Sequence, residues 1–283
     1  MPDRATHRIV PLGPPRLPAP FRRLVVGSEE PQHQGLARST CRAVHVLRWP
    51  GLDADLCRCL AAPGRAQVAV PAAFDIGHAP SGWAQLATLA PPAAGLPEQL
   101  SQALQRTGVL GANPADYRRA LDGRVDHLVC RGAGFHNDVA RHWSRCLFWV
   151  LALQVQDVEL VMPHVGLRLP LVAGDLVVFD PSLAHGLCRP ADGGQALPTS
   201  FGPGPADVQV FLTGELPLSD PQWAALGAPW LPVAAREPAA LDLLLAPFDD
   251  RSGAIQRVQA LRDALAGPAG GPTATGGWPA WVG

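Results

Sequence analysis

From Val125 to about residue 215 the apolar residues come in short runs, each cut off by Gly, Pro or Asp before it could complete a helix of useful length. Punctuation of this kind confines the segment to strands and turns, the pattern of an all-β barrel or sandwich. Strands are predicted at 125–131, 134–139, 146–155, 158–162, 166–170, 175–180, 184–188 and 207–213. Eight strands suffice for a jelly roll.

Helical spacing flanks this region. Leu52, Leu56 and Leu60 recur every four residues, with Asp53 and Asp55 in the first turn, where the helix dipole favours acidic groups. A second helix is predicted from Leu96 to a stop at Gly108, with Pro97 early enough that its missing N–H costs nothing, and a further turn or two at 116–121. Ala43 to Leu47 reads as a strand. Beyond Glu215, helices are predicted at 221–226, 238–245 and 252–265, the last capped by Ser252. The expected organisation is therefore an irregular segment over 1–40, with one short strand at Phe21 to Val26, then a single domain over 41–266 and a flexible Gly/Pro/Thr tail over 267–283. The expected fold class is mainly β with flanking helices.

Composition narrows the function classes. A formal net charge of −1 gives no electrostatic reason for a nucleic-acid or anionic-membrane partner, and no apolar run approaches the roughly 18–20 residues of a membrane span. Met1 to Val10 carries charges and a proline where a secretory signal needs an apolar stretch, so the expected location is cytoplasmic. The six cysteines, at 41, 57, 59, 130, 146 and 188, have no zinc-ribbon spacing and are expected as mostly buried thiols. There is no lysine, so any cation that grips a carboxylate must be an arginine.

The chemistry-bearing stretch is Gly134-Phe135-His136-Asn137-Asp138. Residues two apart in a strand share a face, so His136 and Asp138 can converge on one point, and an imidazole with a carboxylate makes two thirds of a facial triad. The third ligand is offered by His185, after a Gly174-Asp175 turn, the apolar run Leu176 to Phe179, and a corner at Asp180-Pro181.

The His-x-Asp pair, Gly-Asp turn, apolar strand and distal histidine together resemble the Fe(II)- and 2-oxoglutarate-dependent oxygenase superfamily, in the style of its prolyl-hydroxylase-like branch, over residues 125–215. The resemblance implies a distorted double-stranded β-helix, a cupin-like jelly roll, with Fe(II) on His136, Asp138 and His185. It also implies O2 and 2-oxoglutarate as co-substrates, and a small-molecule or peptide substrate oxidised at a C–H bond. The family's cation for the far carboxylate of 2-oxoglutarate falls roughly ten residues after the distal histidine, where this chain has Gly193-Gly194-Gln195-Ala196. Arg189 and Arg145 are the candidates to replace it. Two other readings stay open: a cupin-like metalloenzyme that does not use 2-oxoglutarate, and a ligand-binding barrel without turnover.

The neighbouring residues have simpler readings. His142 and His164 are expected to be non-ligands, Asp175 and Asp180 turn formers, Asn137 a structural hydrogen-bonding group, Trp143, Phe148 and Trp149 packing residues, and Arg131 and Arg141 solvated charges.

Overall fold

The computed structural model describes residues 6–11, 43–48, 52–69, 72–122, 125–136, 146–162, 167–181 and 185–218. Among them eleven strands form two antiparallel sheets. The larger sheet has the order β1-β2-β9-β6-β11-β4-β3, built from β1 (Thr6–Pro11), β2 (Ala43–Arg48), β3 (Ile76–Ser81), β4 (Val125–Cys130), β6 (Cys146–Gln154), β9 (Leu176–Phe179) and β11 (Gln209–Pro217). The smaller has the order β5-β10-β7-β8, from β5 (Ala133–His136), β7 (Glu159–Met162), β8 (Leu167–Pro170) and β10 (His185–Cys188). The eight strands β4 to β11 divide four to each sheet, and the chain passes back and forth between the sheets. This is the jelly-roll core expected over 125–215, with β11 running on to Pro217.

Side-chain alternation sorts the large sheet into two faces. On β6, Leu147, Trp149, Leu151 and Leu153 join Val129, Leu176, Val178, Val210 and Leu212 in a core shared with four helices. These are α1 (Ala54–Gln67), α2 (Trp83–Leu89), α3 (Leu96–Gln105) and α4 (Pro114–Leu121). They contribute Leu56, Leu60, Leu86, Leu96, Leu100, Leu104 and Tyr117. A fully buried Leu or Val is worth about 1.5–3 kcal/mol, so a layer of this many makes the helix face the main source of stability. The opposite face turns into the barrel. There Val44, Val46, Val177 and Phe179 meet Leu160, Met162, Leu167 and Leu169, while Leu128, Cys130, Ala152 and Phe211 meet Ala133 and Leu187.

Local chemistry sets the boundaries. Asp53 is the N-cap of α1, its Oδ1 accepting from the Leu56 amide at 2.8 Å, and the helix runs on through Pro63 to Gln67, beyond the Leu52, Leu56 and Leu60 pattern. Proline in the last turns removes one amide whose acceptor would be the carbonyl of Cys59, an exposed residue that water can serve. Gly174 adopts φ +91°, and Asp175 Oδ2 accepts from the Val172 amide at 2.9 Å, which confirms the Gly-Asp turn ahead of β9. Two strands and a short helix have no counterpart in the sequence prediction. β1 lies within the segment expected to be irregular, while β3 carries Gly77 and Pro80, tolerated because it is an edge strand paired with β4 alone. The strand at 21–26, the helices beyond residue 219 and the tail lie outside the described residues. No described helix is long and apolar enough to cross a membrane.

Candidate metal centre

The register of the small sheet brings the two sequence-predicted histidines together. His185, at the start of β10, is the antiparallel partner of His136, at the end of β5, while Leu187 pairs with Ala133. Three steps on β5 thus match two on β10, a bulge that carries one extra residue. The bulge sets position 136 opposite His185 in the register. Directly opposed positions of antiparallel strands have β-carbons about 4.5–5.5 Å apart, close enough for two imidazoles to serve one ion.

His185 is 7% exposed, and Phe179 packs edge-on to its ring at a centroid separation of 5.0 Å. Phe179 in turn meets Phe148, its cross-strand neighbour, at 6.1 Å. The imidazole is therefore set against an apolar wall. Asp138 lies outside the described residues, and among those described no three His, Cys, Asp or Glu side chains form a metal-holding group. A histidine on each of two paired strands, with a carboxylate two positions after one of them in sequence, is a donor set suited to a borderline metal such as Fe(II).

The co-substrate candidates fare differently. The strand predicted at 184–188 ends at Cys188 and does not continue to Arg189, which is the N-cap of a short 3-10 turn, Pro190–Asp192. Its guanidinium donates to the carbonyls of Gln156 at 2.6 Å and Asp157 at 2.9 Å, pairs with Asp207, and lies 4.8 Å above the centre of the Phe201 ring. These contacts supply the arginine with a carboxylate and acceptors from its own chain. Arg145 lies outside the described residues, as do Asn137, Arg141, His142, Trp143 and His164. The inward positions of β11 are Gln209, Phe211, Thr213 and Glu215, so no arginine enters the barrel from that strand.

Other side chains depart from or bear out their simpler readings. Arg131, expected to be solvated, is buried, and its guanidinium donates to the carbonyls of Gly202, Pro203 and Gly204 at 2.6–2.7 Å; a Pro/Gly-rich loop cannot pair these oxygens itself. Asp175 serves its turn and also takes a 2.6 Å ion pair from Arg48. Trp149 faces the helix layer and stacks on Trp83 at 6.2 Å. Two histidine arrangements were not anticipated. His127 is fully buried between Ser81 Oγ, 3.0 Å from Nδ1, and the Leu60 carbonyl, 2.9 Å from Nε2, and burial lowers its pKa. His7 Nε2 lies 3.1 Å from His45 Nδ1, the two rings stacked. No sequence signal marks either, because each depends on which strand lands beside which.

No protein-family model and no curated protein sequence matches the chain. Solved structures do. The chain is similar to a Pseudomonas putida prolyl-4-hydroxylase at 19% identity, over 67% of this chain and 100% of that one, with a TM-score of 0.41. It is similar to a viral collagen prolyl hydroxylase from Paramecium bursaria Chlorella virus-1 at 9% identity, over 61% and 94%, with a TM-score of 0.39. A third is a non-haem α-ketoglutarate-dependent epimerase of nogalamycin biosynthesis, at 14% identity, over 65% and 82%, with a TM-score of 0.36. The likeness is one of fold.

Proposed function

We propose that this chain is a mononuclear non-haem Fe(II) dioxygenase that uses 2-oxoglutarate and O2 to oxidise a C–H bond of a small-molecule or peptide substrate. The observation that supports the reading is the antiparallel pairing of His185 with His136 in the smaller sheet of the jelly roll, across a β-bulge. His136, Asp138 and His185 would hold the metal. Bound there, Fe(II) supplies the oxygen activation that couples decarboxylation of 2-oxoglutarate to oxidation of the substrate.

The chain's own part is positional. Phe179 restricts rotation of the His185 ring, Phe148 and Phe179 keep water from the metal side of the cavity, and the carboxylate of Asp138 balances the charge of the cation beside two neutral imidazoles. Held by three protein ligands, the metal would keep room for co-substrates to bind. Anaerobic titration of Fe(II), then 2-oxoglutarate, into the metal-free chain tests this reading. A weak visible charge-transfer band that requires both additions, and is lost in Asp138→Ala, is expected. Failure to bind iron would overturn it.

A second reading, a cupin-like metalloenzyme that does not use 2-oxoglutarate, is favoured by the commitment of Arg189 to Asp207 and by the lack of an arginine among the inward positions of β11. Iron bound without the band would select it.

A further inference from the structure

The strand that carries His136 has little ladder to hold it. β5 is four residues long and lies at one edge of the smaller sheet, and among the described residues it pairs in the ladder with β10 alone, in a register broken by the bulge. A position that serves a metal has to be fixed to within roughly 0.5 Å, and two cross-strand pairs give too little restraint for that. Further restraint comes from two aromatic rings that meet Gly132-Ala133-Gly134. A β-carbon at Gly132 would lie 2.4 Å from the Phe201 ring, so only a residue without a side chain admits the ring there. One at Gly134 would lie 3.3 Å from the ring of Phe74. The two rings meet each other edge-on at 6.1 Å, and the Arg189 guanidinium lies over Phe201. Arg131, next to Gly132, grips the carbonyls of Gly202, Pro203 and Gly204, which ties the loop after Phe201 to the same stretch. Phe74 holds φ +71°, a conformation that bulky side chains rarely adopt and that a fold keeps where its surroundings over-determine it.

We propose that Phe74 and Phe201 are positioning residues that clamp the Gly132-Ala133-Gly134 backbone and so fix where position 136 stands opposite His185. A ring is a rigid plate, and a close-packed interior transmits displacement instead of absorbing it. Replacing either ring with a flexible aliphatic side chain therefore frees β5, while β10 stays in place because β7 holds its other side. The inference rests on the oxygenase reading only in taking position 136 as a metal ligand.

The test reads the full chain in two ways. Hydrogen exchange of the metal-free chain, followed by mass spectrometry on peptides covering β5 and β10, compares the wild type with Phe74→Leu and Phe201→Leu. Exchange at β5 should rise about tenfold in both variants, with β10 unchanged. Anaerobic Fe(II) titration, at a temperature where each variant is folded, should give a Kd raised about tenfold in both, as for residues that orient a metal ligand. Phe74 is half-buried, so Phe74→Leu carries the test if Phe201→Leu does not fold. Phe74→Tyr keeps the ring and should match the wild type in both readouts. Leu104→Ala, in the helix-side core, is the control: it should lower the thermal midpoint and leave the iron Kd and the β5-to-β10 exchange ratio unchanged. Unchanged β5 exchange in the leucine variants, loosening shared equally by β10, or an iron Kd that rises as much in Leu104→Ala would overturn the proposal. A chain that binds no iron yet loosens at β5 alone in these variants loses only the oxygenase reading, and one that binds iron equally well in all of them loses only the clamp.

Discussion

A β-carbon added at Gly64 would come within 2.8 Å of the His127 ring, and that ring cannot turn aside, because both its nitrogens are engaged behind the sheet. The Leu60 carbonyl can only accept, so Nε2 carries the proton and Nδ1 accepts from the Ser81 hydroxyl, a neutral tautomer that agrees with the lowered pKa. Gly64→Ala gains about 0.5–1 kcal/mol in helix propensity but overpacks by roughly 1–3, so a net loss of stability in urea unfolding is expected. Arg189 permits a second prediction. Replacing it with Met leaves Asp207 without its ion pair at 22% exposure, a loss of roughly 1–3 kcal/mol, with the 2-oxoglutarate concentration for half-maximal turnover unchanged. A raised requirement at unchanged stability would return Arg189 to the co-substrate site. These roles cannot be told apart from sequence, since the guanidinium's partners lie 18 to 33 positions away.

At the scale of elements, β1 is the vulnerable piece. It is an edge strand joined to β2, and across the pair His7 meets His45, whose pKa is lowered to about 4 by burial and then by His7. His7 is lowered as well, by burial and by the charge of Arg106 at the end of α3. Both are bases with depressed folded-state values, so between the ordinary histidine range near 6.5 and about 4 the unfolded chain binds more protons. Stability is fully present above that window and is lost as the pH falls through it. Thermal midpoints from pH 7 to 4.5 should drop more steeply in the wild type than in His45→Phe, with β1 amides exchanging first. The central strands of the barrel were readable because their apolar runs are cut sharply at both ends. β1 and β3 were not, since edge strands are half polar, and His7, Arg8, Gly77 and Pro80 obscure the alternation.

Across the whole molecule the thiols report how tightly it is packed. Cys57, Cys130, Cys146 and Cys188 are buried, and burial pushes Cys57 up to about 11 and Cys130 and Cys188 up to about 12. Among the described cysteines only exposed Cys59 should react quickly with a disulfide reagent at pH 8, the others following on unfolding. The jelly roll could be read from sequence because strand length and turn chemistry are local. The inward phase of β11 could not, since Gln209 to Gly214 are buried on both faces and alternation there carries no sign.

Every described ion pair uses a guanidinium: Arg48 with Asp175, Arg168 with Glu159 and Arg189 with Asp207 among the more buried. An arginine keeps its charge beyond pH 12, whereas a lysine in its place would discharge near 10.4. Ion pairs of this kind keep both charges in base that would discharge a lysine and lose one in acid, and in a chain with no lysine they offer nothing to amine-seeking reagents such as aldehydes and active esters.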